Sequence, residues 1–153
     1  MRLSEIFSPD FIIDDLKATD KKAVLEELTQ IITERETHLD KAKLLHVLSE
    51  REKLGSTGIG DGVALPHGKL KGLDKMLISF GRSRNGLDFD SIDNKPAYLF
   101  FLLLAPEDAA GIHLKSLAKI SKMLKNGNFR RRLIEAKSKE EIYTIIIDND
   151  EEF

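Results

Sequence analysis

The chain has 153 residues, 41% apolar and 33% charged, with 24 basic and 26 acidic side chains for a net charge of −2. That length supports one α/β domain, residues 1–153, with its own hydrophobic core. The near-even charge balance gives no electrostatic case for nucleic acid, and the absence of cysteine excludes disulfides, thiolate chemistry and zinc–sulfur sites.

The segment from Met1 to Ile6 lacks the apolar core of a signal peptide, and the longest apolar run, Ala97 to Ala105, is too short to cross a bilayer. The expectation is a cytoplasmic protein without direct membrane insertion, or a soluble piece of something larger. Phe11-Ile12-Ile13 reads as a short strand. Thr19 or Asp20 can cap a helix whose apolar positions Val24, Leu25, Leu28, Ile31 and Ile32 follow helical spacing. Asp40 can cap a second helix, with Leu44, Leu45 and Leu48 on one face, ending near Leu54 with Gly55 as its stop.

A glycine-rich loop follows, Gly55-Ser56-Thr57-Gly58-Ile59-Gly60-Asp61-Gly62, leading into Val63-Ala64-Leu65-Pro66-His67-Gly68. Val63 to Leu65 is expected to be extended, because Pro66 biases Leu65 away from helix. Met76 to Phe80 and Leu87 to Phe89 read as strands, with Asn85-Gly86 as a turn signal between them. Ala97 to Leu104 is nearly all apolar, as expected of a strand covered on both faces. After Pro106 a loop runs to Gly111, then a helix turns Leu114, Leu117, Ile120 and Leu124 inward. Asn126-Gly127 breaks it, Asn128 to Ala136 forms a short helix, and Ser138-x-x-Glu141 boxes the start of the last. The architecture this predicts is a single-domain sandwich: a small mixed sheet with helices on both sides.

The glycine loop invites nucleotide readings that the residues refuse. No Gly-Lys-Ser/Thr follows it, so it is not a Walker A loop. It follows a helix rather than a strand, and Val63 stands where a dinucleotide fingerprint needs its last glycine. A serine hydrolase elbow, Gly-x-Ser-x-Gly, is absent too. Of the four histidines, His38 sits in a polar loop and His46 on a helix, both as bystanders. His67 and His113 have no acid spaced to share a metal with them. On spacing alone His67 is as readily a hydrogen-bonded loop histidine as a nucleophile, and Arg51 a solvated helix-end arginine. If His67 is a phosphoryl carrier, it needs one free ring nitrogen and the other held by a hydrogen bond. Backbone N–H groups and the Ser56 and Thr57 hydroxyls are the candidate hydrogen-bond donors to the phosphoryl oxygens, and Arg51 is the candidate cation beside them.

The run Arg51-Glu52-Lys53-Leu54-Gly55-Ser56-Thr57-Gly58-Ile59-Gly60-Asp61-Gly62-Val63-Ala64-Leu65-Pro66-His67-Gly68-Lys69 resembles the signature of the fructose/mannitol-type IIA components of the phosphoenolpyruvate-dependent sugar phosphotransferase system. The resemblance continues through Ile92-Asp93-Asn94-Lys95-Pro96, Leu103-Leu104-Ala105-Pro106, His113-Leu114 and Lys139-Glu140-Glu141-Ile142. It implies a mixed, five-stranded sheet flanked by helices, and no metal or organic cofactor. It also implies that His67 takes a phosphoryl group, on its tele nitrogen, from the carrier protein HPr. His113 and Arg51 match the site's other two family residues and are expected to stabilise the phosphorylated state.

Two destinations for the phosphoryl group follow from the resemblance. One is a regulatory protein whose phosphorylation state alters its binding to partners, as in the nitrogen-regulatory branch. The wording Gly-Ser-Thr-Gly-Ile-Gly and Pro-His-Gly-Lys favours that branch, and no cysteine is present for a fused IIB site. The other is a sugar-specific IIA that passes the group to a IIB domain. A third reading, a binding module without transfer activity, is disfavoured by the intact His67, Arg51 and His113.

Overall fold

Side chains close the open ends of four helices, each where the sequence places a short polar residue. The computed structural model describes residues 2–152, leaving the expected domain ends Met1 and Phe153 outside the described residues. Asp20 accepts from Ala23 N at the start of α1 (Lys21–Arg35), and Asp40 from Ala42 N and Lys43 N at the start of α2 (Lys41–Lys53). Asn126 caps α4 (Gly127–Glu135), and Ser138 caps α5 (Lys139–Asp148) by accepting from Glu141 N. Each such cap is worth about 1 kcal/mol. The box at α5 closes one residue early, since Glu141 Oε2 accepts from Lys137 N at 2.6 Å. Helix α3 (Ala110–Leu124) has no side-chain cap.

The strands are β1 (Ile12–Ile13), β2 (Gly58–Gly60), β3 (Val63–Ala64), β4 (His67–Leu70), β5 (Leu77–Leu87) and β6 (Ala97–Pro106). They form one mixed sheet in the order β1-β5-β6-β3-β2, with β4 also paired to β6. β3 meets β6 at Leu99 and Phe100, and β4 meets it further along, from Leu103 to Pro106. Since β5 occupies the opposite edge of β6, β3 and β4 are one row interrupted at Leu65-Pro66. The six segments therefore lie in five rows, where five strands were expected.

β6 is buried on both faces, and its residues alternate between two cores. Leu99, Phe101, Leu103 and Ala105 pack with Ile120, Met123, Leu133, Ile142 and Ile146 from α3, α4 and α5. Phe100, Leu102 and Leu104 pack with Val24, Leu28, Ile32, Leu44 and Leu48 from α1 and α2. A strand-period alternation with apolar residues on both sides is what a central strand between helical layers requires.

Three expectations need correction. Asn85-Gly86 does not separate two strands: β5 continues to Leu87 through a register irregularity after Arg82. The glycine is needed there because a Cβ on Gly86 would lie 2.7 Å from the Tyr98 ring of β6. The inward face of α3 is rotated, so Leu114 is 66% exposed while His113 and Ser116 are buried. The glycine-rich stretch is no simple loop. Its Asp61-Gly62 pair, with φ of 57° and 78°, turns β2 back onto β3 as a tight hairpin.

Candidate functional site

The last turn of α2, the β2–β3 hairpin and the first residue of β4 converge on His67. Chain geometry does this in steps. α2 ends with Arg51 in its last turn, the hairpin reverses the chain, and Leu65-Pro66 breaks the row before β4 starts at His67. Gly68 next to it faces α2 so closely that a Cβ would lie 2.5 Å from Val47 Cγ1. This close approach brings the end of α2 beside the start of β4.

His67 Nδ1 lies 2.8 Å from the Leu65 carbonyl oxygen. A carbonyl only accepts, so Nδ1 carries the hydrogen and Nε2 keeps its lone pair. Arg51 Nε donates to that Nε2 at 3.4 Å, and Arg51 Nη1 donates to the Gly55 carbonyl at 2.8 Å. The guanidinium is thereby held by the turn that follows its own helix. Burial pushes the His67 pKa below the usual histidine value; the Leu65 bond opposes this, Arg51 adds to it, and Glu52 opposes it last. A neutral ring with a bare Nε2 is a nucleophile at neutral pH.

His113 stands across from it on the first turn of α3, with ring centroids 5.3 Å apart and planes tilted by 48°. It is 4% exposed, and its buried Nδ1 has no hydrogen-bond partner among the described residues. Burial first, then the charges of His67 and Lys69, push its pKa down to about 4. At neutral pH it is therefore an uncharged N–H donor rather than a cation. Sequence spacing placed no such pair together; 46 positions separate the two histidines, and only the packing of α3 against β6, the strand that β4 pairs with, joins them.

Arg51, Ser56, Thr57 and His67 all line one open hollow of about 320 Å³, with Ile59, Leu65, Leu117, Ala118 and Ser121. The two hydroxyls, expected as phosphoryl donors, have already given their hydrogens. Ser56 Oγ donates to the Phe89 carbonyl at 2.8 Å, and Thr57 Oγ1 donates to Glu52 Oε2. Their place is in the frame of the loop. Glu52 and Ser121 were not singled out in the sequence, although Glu52 sits inside the signature itself, and Leu117 was expected only as an inward position of its helix. Among the described residues no three His, Asp or Glu side chains stand together as metal ligands, and no helix is long and apolar enough to cross a membrane.

Comparison with known proteins gives consistent results. The family model for the phosphoenolpyruvate-dependent sugar phosphotransferase system, EIIA 2, matches residues 5–149. A nitrogen regulatory protein of Bradyrhizobium diazoefficiens is 39% identical over 146 residues, which are 95% of each chain. The fructose-specific EIIABC component of Bacillus subtilis is 33% identical over 98% of this chain, which spans 24% of that longer protein. The crystal structure of nitrogen regulatory protein IIA-Ntr from Neisseria meningitidis superposes with a TM-score of 0.89 at 39% identity, covering 94% of this chain and 98% of that one.

Proposed function

The chain belongs to the EIIA type-2 family of the phosphoenolpyruvate-dependent sugar phosphotransferase system, and from that premise we propose that it is a phosphocarrier which accepts a phosphoryl group on Nε2 of His67. The observation that carries this reading is the Nδ1–Leu65 bond, which leaves Nε2 unprotonated at an open hollow, accepting from Arg51. The donor is a phosphohistidine on an HPr-type carrier. The Nε2 lone pair attacks phosphorus while the donor's P–N bond breaks and its electrons return to the donor imidazole. His67 keeps its Nδ1 proton throughout, held by the Leu65 carbonyl.

Because one P–N bond replaces another, little covalent work is asked of the protein, and positioning supplies most of the catalysis. Arg51 moves from Nε2 to the incoming oxygens, where a guanidinium fork suits a phosphoryl group. The neutral His113 gives an N–H to the same group. Ser56 and Thr57 serve by holding the loop. Leu54 at the end of α2, Leu114 next in the chain to His113, and Ile59 in the hollow's wall are exposed. An apolar rim of this kind suits a brief protein partner.

For the destination, we favour regulation through a partner whose binding depends on the phosphorylation state. The 39% identity to a nitrogen regulatory protein across both whole chains supports it over the sugar reading, in which a IIB domain receives the group. The test is incubation with phosphoenolpyruvate, enzyme I and HPr. The wild type is expected to acquire an acid-labile, alkali-stable phosphate, His67→Ala none, and His113→Ala the same phosphate more slowly. Labelling that persists in His67→Ala would sink the assignment.

A further inference from the structure

Glu52 breaks a local rule. It stands in the last turn of α2, where the helix end is negative and favours cations, as Arg51 and Lys53 beside it do. Its side chain is only 7% exposed, so its charge also sits largely out of water. Such a group is tolerated only when it is paired and fully hydrogen-bonded.

Its two partners, Thr57 and Lys21, tie the glycine-rich stretch and the start of α1 to one carboxylate. Oε1 accepts from Thr57 N at 3.1 Å, and Oε2 accepts from the Thr57 hydroxyl. Lys21 Nζ, at the start of α1, lies 2.9 Å from Oε1 and 3.5 Å from Asp90, with its ammonium 4.7 Å above the Phe89 ring. Thr57, gripped at two of its donors, has one backbone acceptor left. Its carbonyl takes the N–H of Leu65 at 2.9 Å. The Leu65 carbonyl in turn accepts from His67 Nδ1 at 2.8 Å. A continuous path of hydrogen bonds thus runs from Glu52 through Thr57 and Leu65 to the bond that decides which ring nitrogen of His67 is bare.

We propose that Glu52 is a positioning residue that, through Thr57 and Leu65, holds His67 in the tautomer whose free Nε2 faces Arg51. It touches neither the ring nor the phosphoryl group. The part of this proposal that concerns transfer rests on the phosphocarrier reading of His67. Its effect on the ring does not.

The test reads both separately. Histidine ring ¹⁵N spectra of the unphosphorylated protein report the tautomer of His67, and the enzyme I and HPr assay reports the rate of phosphoryl acceptance. In wild type a single tautomer protonated on Nδ1 is expected. Glu52→Gln and Thr57→Val, both checked for a cooperative melt, are expected to mix the two tautomers and slow acceptance by roughly tenfold to a hundredfold, the scale of a misplaced reacting group. Thr57→Ser, which keeps the hydroxyl, is expected to recover most of what Thr57→Val loses. Should Glu52→Gln fail to fold, Thr57→Val decides. Folded variants that keep the wild-type tautomer overturn the proposal, however fast they accept phosphate. If wild type accepts no phosphoryl group while the variants still shift the tautomer, the phosphocarrier reading fails and the positioning role stands.

Discussion

Replacing Gly68 by alanine tests whether the approach of α2 to β4 sets the chemistry at His67. The added Cβ would lie 2.5 Å from Val47 Cγ1, with the next atoms at 3.9 Å. Carbon atoms settle at about 3.5–4.0 Å, so roughly 1 Å must be found somewhere. β4 cannot yield it easily, because Gly68 is buried and pairs with the fully buried Leu104 of β6. Val47 cannot swing away freely either, since a β-branched residue in a helix is held to one strongly preferred rotamer. The end of α2 has to move, and Arg51 moves with it. Overpacking of this kind costs about 1–3 kcal/mol, which for a chain of this size lowers the melting temperature by roughly 2–12 °C. A displacement of about 1 Å between reacting groups slows the reaction on the order of a hundredfold. Val47→Ala clears the obstruction, so the double variant is expected to regain most of both losses, a coupling of about 1–2 kcal/mol in the cycle. Thermal melts and phosphoryl acceptance rates on the four proteins check this. A Gly68→Ala protein that melts and reacts like wild type would refute the reasoning, as would a double variant whose losses simply add.

Stability should also depend on pH through His113. Its folded pKa of about 4 lies below the value of roughly 6.5 in an unfolded chain, so the unfolded state takes up the proton first. The stability this contributes is complete above the unfolded value and is lost as pH falls towards about 4, by on the order of 3 kcal/mol. Urea denaturation at about pH 7 and about pH 5 should show part of that loss in wild type and less of it in His113→Gln. The acid limb of phosphoryl acceptance should fall below the ordinary histidine value of about 6.5, because burial holds His67 neutral; a midpoint above it would contradict the site's electrostatics. Arg82→Met should cost roughly 2–4 kcal/mol in denaturant, because the buried guanidinium donates to the carbonyls of Asp14, Leu133 and Ala136 and methionine leaves them unpaired.

Much of the fold was legible because local rules and packing agree. Asp20, Asp40 and Ser138 open helices where short polar side chains can reach free N–H groups, and those bonds need no knowledge of the rest of the chain; Asn126, expected only as a helix breaker, caps α4 in the same way. The run from Ala97 announced a strand covered on both faces. Other parts failed for physical reasons. Asn85-Gly86 carries a turn signal, but continued pairing with β6 outweighs it and turns it into an irregularity within β5. β4 was not foreseen because His67-Gly68-Lys69 has no apolar alternation; the edge of β6 makes it a strand. Asp61-Gly62 is a strong hairpin signal, but only Val63-Ala64 after it is apolar; Gly58-Ile59-Gly60 before it is mostly glycine and carries no strand pattern.

The sequence by itself determined the family, the α/β layering and the single residue, His67, on which the proposed chemistry turns, since a long ordered signature survives any rearrangement of the chain around it. The resemblance already implied the tele nitrogen of His67; only the tertiary structure supplied the bond that holds the other nitrogen's proton, the burial that keeps His113 neutral, and the commitment of the Ser56 and Thr57 hydroxyls. Tautomer, burial and donor commitment depend on how the folded chain turns its groups toward one another: the Leu65 carbonyl back onto His67, Glu52 onto Thr57, and Phe89 and α3 brought in from far along the chain. Spacing along the chain carries no record of them.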